Sequence, residues 1–362
     1  MKSALLSIGS LAGILLCASY ADAATCTPTG FFRDNIEMTA AIINPASAVT
    51  GTVDATGCNI GVYADHGTLS VTSAEIFGAN YFGVLANADA ASMTVHINNN
   101  SIHNIGEFPL NGTQHGNAVY LRAFFTGNNM AGEVTGNVIS GYQKGGIIAN
   151  GQGVKVRIVA NNVIGAGHVT FIAMNGIQIG YGAQPLEVSL NTVSGNSYDG
   201  HGDGSSSGGI LVVGGPFFGL CPDNNPCPYT TNLTIGYSLT AANHVGTNRL
   251  FNNDVGILVE NADGDGNPPA TPTTVVMFTN YDESDACFNP YQAGISDFGN
   301  TDYMVGNFIS SGGGHGTHCG FGIDTTGSVN PILAFNTVPA PPTATAAATT
   351  LHTRAKVVPE KP

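Results

Sequence analysis

Residues 134–164 read VTGNVISGYQKGGIIANGQGVKVRIVANNVI, and two short patterns alternate within them. One is an Asn set between apolar residues, in VTGNVI around Asn137 and again in VANNVI around Asn162. The other is a Gly followed by alternating apolar residues, GIIA from Gly146. Both recur through most of the chain. The Gly pattern appears as GVYA from Gly61, GVLA from Gly83, AVYL from Ala118, GIQI from Gly176, GILV from Gly209 and from Gly256, GIS from Gly294 and GID from Gly322. The Asn pattern is centred on Asn100, Asn137, Asn162, Asn191, Asn248, Asn280, Asn307 and Asn336. A repeat of about 25 to 37 residues built only of short strands and turns belongs to solenoids. Sustained 3.6-residue periodicity with caps is absent, so helical repeats do not fit.

Each strand is short and alternates with period two, so one side chain in two can face inward. Gly and Asn mark sharp bends, for which positive φ is the expected reason, and stacked Asn side chains can hydrogen-bond along the stack. On these motifs the chain resembles the right-handed parallel β-helix proteins, the superfamily that includes pectate lyases and polygalacturonases. The resemblance implies an all-β, single-stranded solenoid of about nine coils over residues 59–338. It is a resemblance of coils rather than of chemistry. His315-Gly316-Thr317-His318 and Asn300-Thr301-Asp302 are superficially similar to polygalacturonase motifs, but the paired aspartates expected between them are missing.

The chain has 362 residues, 10 Lys plus Arg against 24 Asp plus Glu, a net charge of −14 and no Trp. So few cations leave no stripe able to neutralise phosphates, which excludes nucleic acid as the expected partner. Lys2, an apolar run and Ala21-Asp22-Ala23 read as a signal peptide over residues 1–23, which predicts a secreted or periplasmic protein. No later stretch is long and apolar enough for a transmembrane segment. Cys26, Cys58, Cys221, Cys227, Cys287 and Cys319 are then disulfide candidates with 15 connectivities, of which sequential pairing is the simplest. Residues 24–58 are expected to cap the core, residues near 214–235 form a loop insertion, and the Pro- and Ala-rich residues 339–362 read as a disordered tail.

The residues one and three after each Gly, such as Val62, Val84, Val119, Ile147, Ile177, Ile210 and Ile257, are apolar and face inward. The residues two and four after it therefore face outward. Over the first coils these make a polar and aromatic strip of Tyr63, Asp65, Asn87, Tyr120, Arg122, Asn150 and Gln178. Tyrosines for stacking on sugar beside amides suit a glycan groove, with Asp65 and Arg122 as catalytic candidates for a polysaccharide lyase or glycoside hydrolase. Glu260 and Asp324, also outward, are a second carboxylate pair of the kind an inverting glycosidase uses. Asp263, Asp265 and Asn267 alternate with Gly on a turn that would suit Ca²⁺, the one cofactor the sequence suggests, though the same residues are ordinary turn formers. The functional expectation is an exported β-helix that binds or cleaves an extracellular polysaccharide. The alternative is a non-catalytic adhesin, matrix or glycan-binding solenoid. Nothing in the sequence sets the oligomeric state.

Overall fold

The computed structural model of the protein describes residues 25–200, 204–237, 246–284, 288–289, 291–310, 321–338 and 358–362. Successive strands wind around one interior in three faces, and each strand pairs in parallel with its equivalent one coil away. The first face takes the Gly-pattern strands, from Ile60–Ala64, Phe82–Asn87 and Asn117–Arg122 to Phe321–Asp324. The second and third faces share one 17-stranded sheet, because Gly67–Phe77 runs unbroken around the corner between them. The fold is thus all-β and a parallel β-helix. No helix among the described residues is long and apolar enough to cross a membrane.

Register follows the Gly pattern. Val62, Val84, Val119, Ile147, Ile177, Ile210, Ile257, Ile295 and Ile323 are paired neighbours in one inward column. They join apolar residues of the other two faces in a single core running the length of the rod. Residues 24–58 do more than cap it. Ile36–Ile43 adds a tenth parallel strand to the first face, while Thr27–Arg33 pairs antiparallel with it and covers its edge. The Cys26–Cys58 disulfide, Cα–Cα 5.3 Å, ties this hairpin to the first Gly-pattern coil.

The recurrent glycines are needed for a different reason than positive φ. Gly146 lies within a strand, and a Cβ there would sit 2.4 Å from Val163 Cγ1 and 2.5 Å from the Gly176 carbonyl oxygen. The chain passes too close to its neighbours for any side chain. The left-handed backbone instead falls on the residue before a corner Asn: Asn99, Gly136, Ala160, Leu190, Thr279, Gly306 and Phe335. For Leu190 or Phe335 that conformation costs about 1–2 kcal/mol. The corner asparagines hold it in place. Asn100, Asn137, Asn161, Asn191, Asn248, Asn280, Asn307 and Asn336 form one continuous ladder, each Nδ2 donating to the next Oδ1 at 2.9–3.1 Å. The member from VANNVI is Asn161 rather than Asn162, which points away from the core on the third face. The second amide hydrogen of each goes to a carbonyl of the preceding coil, as from Asn191 to Ile158 O at 2.9 Å. Burying this column is tolerated because its amides are paired.

Candidate functional site

The outward positions of the first face stack as their sequence pattern requires. Tyr63, Leu85, Tyr120, Ile148, Gln178, Leu211, Leu258, Ser296 and Asp324 form one registered column. Asn87, Arg122, Asn150 and Gly180 form part of the next. The two columns are not open to solvent. Tyr63, Leu85, Tyr120 and Ile148 are buried in a second apolar cluster with Phe31, Met38, Ile60, Tyr81 and Phe82. Farther along, Leu211, Val213 and Leu258 are covered by the insertion through Phe218 and the Cys221–Cys227 disulfide.

A third piece of chain completes the cover. Residues 358–362, expected to be disordered, lie on the first face, while residues 339–357 fall outside the described residues. Tyr120 Oη donates to Lys361 O at 3.1 Å and Tyr181 Oη to Glu360 O at 3.1 Å. Gln178 pairs with the main chain through both of its ends, Nε2 donating to Glu360 O at 3.1 Å and Oε1 accepting the Glu360 N–H at 2.7 Å. Lys144 Nζ donates to Val358 O at 2.6 Å. The Glu360 side chain makes a buried ion pair with Arg33 at 2.6 Å.

The proposed strip residues are therefore brought together but already engaged. Arg122 donates from Nε and Nη2 to Asp89 Oδ2 at 2.8 and 2.5 Å and lies 5.0 and 5.3 Å from the ring centroids of Phe31 and Phe124. Asp65 bonds His66 Nδ1 at 2.6 Å, and it accepts from Asn44 Nδ2 at 3.1 Å and from the Tyr63 hydroxyl at 3.3 Å. Burial pushes the Tyr63 phenol up to about 12, opposed by a hydrogen bond with Asn87. Asn87 also accepts the Asp89 N–H at 3.3 Å. Asn150 accepts from Gln178 Nε2 at 3.0 Å and reaches Tyr120 Oη at 3.5 Å. Glu260 and Asp324 both face outward, but in different columns: Glu260 is in register with Phe298, and Asp324 accepts the Tyr291 hydroxyl at 2.6 Å.

At the candidate calcium turn, Asp263 Oδ1 accepts the N–H groups of Asp265 and Asn267 at 3.0 and 2.8 Å. Among the described residues no three His, Cys, Asp or Glu side chains gather where a metal ion would sit. Cys26–Cys58 and Cys221–Cys227 are disulfides, as in the sequential scheme. Cys287, Cys319, His315, His318 and residues 1–23 lie outside the described residues. The interior is also less uniformly apolar than the Gly pattern suggests. Asp282 sits between Leu250 and Ile309 in the third-face register, and burial pushes its carboxyl up to about 8. Burial likewise raises Asp297, with the neighbouring Asp302 adding to the effect.

A row on the third face escapes the Gly-pattern reading. Arg249, Tyr281 and Phe308 are registered neighbours on consecutive coils. The Tyr281 and Phe308 rings stack 5.0 Å apart at an interplanar angle of 3°, and the Arg249 guanidinium lies 5.7 Å from the Tyr281 ring centroid. Phe308 is 42% exposed, and the Tyr281 hydroxyl donates to Glu283 at 2.5 Å. The sequence does carry a signal for this row, since each residue directly follows a ladder Asn and so points out of the third face. Comparison with known families, curated proteins and solved structures gives no match.

Proposed function

We propose that this protein is an exported, disulfide-braced β-helix that binds an extracellular polysaccharide without cleaving it. The observation that carries the reading is the solvent-facing row of Arg249, Tyr281 and Phe308, one side chain per coil. The stacked Tyr281 and Phe308 rings present their edges as an apolar ridge against which the C–H groups of sugars can pack, and Arg249 and Glu283 beside them supply a donor and an acceptor for hydroxyls. A linear chain lying along the rod would meet one such side chain per step of about 4.8 Å. The resemblance to the pectate-lyase-like superfamily supports polysaccharide as the ligand class, by analogy of fold. The two disulfides and the signal-like residues 1–23 support export.

The non-catalytic form is preferred because the first-face groups suited to a lyase or hydrolase are consumed within the chain, Arg122 by Asp89 and Asp65 by His66 and Asn44. The test incubates the full chain with a panel of acidic and neutral polysaccharides. Bound polymer, unsaturated product absorbance and new reducing ends are measured together. Binding without turnover, weakened about tenfold by Tyr281→Ala or Phe308→Ala, is the expected result. Turnover would replace this reading with the enzymatic one, and binding indifferent to both substitutions would remove the third face from it.

A further inference from the structure

We infer that the outer groove of the first face is a binding site for an extended, proline-containing peptide that carries one glutamate, and that residues 358–362 occupy it as an internal ligand. The inference concerns a different face from the one assigned to glycan and does not depend on that assignment.

Recognition of the segment is mostly recognition of its main chain. Donors from four side chains, Lys144 Nζ, Tyr181 Oη, Gln178 Nε2 and Tyr120 Oη, reach the carbonyls of Val358, Glu360 and Lys361, and Arg33 Nη1 reaches Pro362 O at 3.0 Å. The groove is donor-rich, with Gln178 Oε1 as the acceptor, at 2.7 Å, for the Glu360 N–H. That balance suits Val358-Pro359-Glu360-Lys361-Pro362, in which two of five residues have no N–H to satisfy. Prolines also hold a peptide extended, which lowers the entropy lost on seating it. Side-chain selectivity comes mainly from the Arg33–Glu360 pair, whose side chains are 9% and 2% exposed, since the Lys361–Asp34 contact at 4.0 Å is largely open to water. Main-chain bonds for affinity and one pocket for specificity are the usual division of labour in extended-peptide recognition.

The groove's polar side chains are built into the fold rather than borrowed from flexible loops. Tyr120 and Gln178 lie within first-face strands, Lys144 and Tyr181 flank such strands, and Arg33 ends the antiparallel strand Thr27–Arg33. Nineteen residues separate Val338 from Val358, so the segment is covalently joined to the rod it lies on. A ligand joined covalently to its site competes intramolecularly, which favours it over a dilute free peptide. A free peptide must compete with it.

The test measures fluorescence anisotropy of a labelled peptide of sequence VPEKP against the full chain and against a full chain carrying Pro359→Gly, Glu360→Ser and Lys361→Gly. The expected result is at least tenfold tighter binding to the substituted chain. Arg33→Ala added to that chain, or Gln in place of Glu in the peptide, then weakens binding at least tenfold. The peptide change probes the same contact with the protein unaltered, so a folding defect in the Arg33 variant does not blunt the test. Equal binding to both chains, or binding indifferent to the peptide acid, overturns the inference. Polysaccharide binding through Tyr281 and Phe308 is unaffected in either case, which keeps the two readings separable.

Discussion

Asn191→Ala tests whether the corner ladder holds the rod together. Asn191 is fully buried and makes four bonds across two coil boundaries. It donates to Asn248 Oδ1 at 3.1 Å and Ile158 O at 2.9 Å, and it accepts from Asn161 N and Asn161 Nδ2 at 3.0 Å each. Truncation strands two donors of Asn161 in a dry interior. At about 1–3 kcal/mol for each buried group left without a partner, the cost is near 4 kcal/mol. Against a usual domain stability of roughly 5–15 kcal/mol that is a large fraction. Asn336→Ala is the internal control. It removes the same pair of acceptor contacts from Asn307, at 3.0 Å each, but at a half-buried position where water can replace them, so its cost is about 1 kcal/mol. The chain has no Trp, so urea unfolding is followed by far-UV circular dichroism. Equal losses at the two positions, or a loss below about 1 kcal/mol for Asn191→Ala, would refute the argument that dry amide pairing carries the corner.

Three further outcomes are expected. Asp282 has its carboxyl raised to about 8, so the folded chain holds a proton there that the unfolded chain releases near pH 4. The unfolded state binds fewer protons across that window, so stability falls as pH rises from about 4 to 8, by up to about 1.4 kcal/mol per unit from this group. Asn in its place flattens that part of the profile, and urea midpoints of wild type and Asp282→Asn measured across the range should diverge towards pH 8; parallel profiles would show that Asp282 is not protonated in the fold. Asp254, raised to about 6 by burial against four hydrogen bonds, adds a smaller decline that ends earlier. Gly146→Ala pushes a methyl into Val163 and the Gly176 carbonyl and should cost about 1–3 kcal/mol, whereas Gly264→Ala, with open space around it, should leave the melting temperature unchanged. Joint Cys26→Ser and Cys58→Ser, opening a separation of 32 residues, should cost about 3–4 kcal/mol, and the same change at Cys221 and Cys227, separation 6, about 2; a larger loss at the shorter loop would contradict the chain-entropy account.

What the sequence determined by itself is the coil. A Gly followed by alternating apolar residues sets which side chains turn inward, and the register of Val62 with Val84, Val119 and Ile147 follows from period two alone. The Asn ladder was legible for the same reason, since a corner repeated in sequence becomes a column in space; at the paired Asn161-Asn162 the sequence pattern centres on Asn162, but the inward corner takes Asn161. Local pattern also shows which residues leave the first face outward. It contains nothing about what lies on top of them. Whether Tyr63, Tyr120 and Arg122 line an open groove depends on Phe31 and Lys361, and whether Leu211 and Leu258 do depends on Phe218; these are distant in the chain and follow no period. Those contacts are decided by where a hairpin, an insertion and residues 358–362 come to rest, so only the tertiary structure turns an outward polar strip into a covered one. The buried acids divide the same way. Asp282 stands in the sequence as one of several neighbouring acids, and only the winding places it inward between the apolar Leu250 and Ile309, which raises its carboxyl.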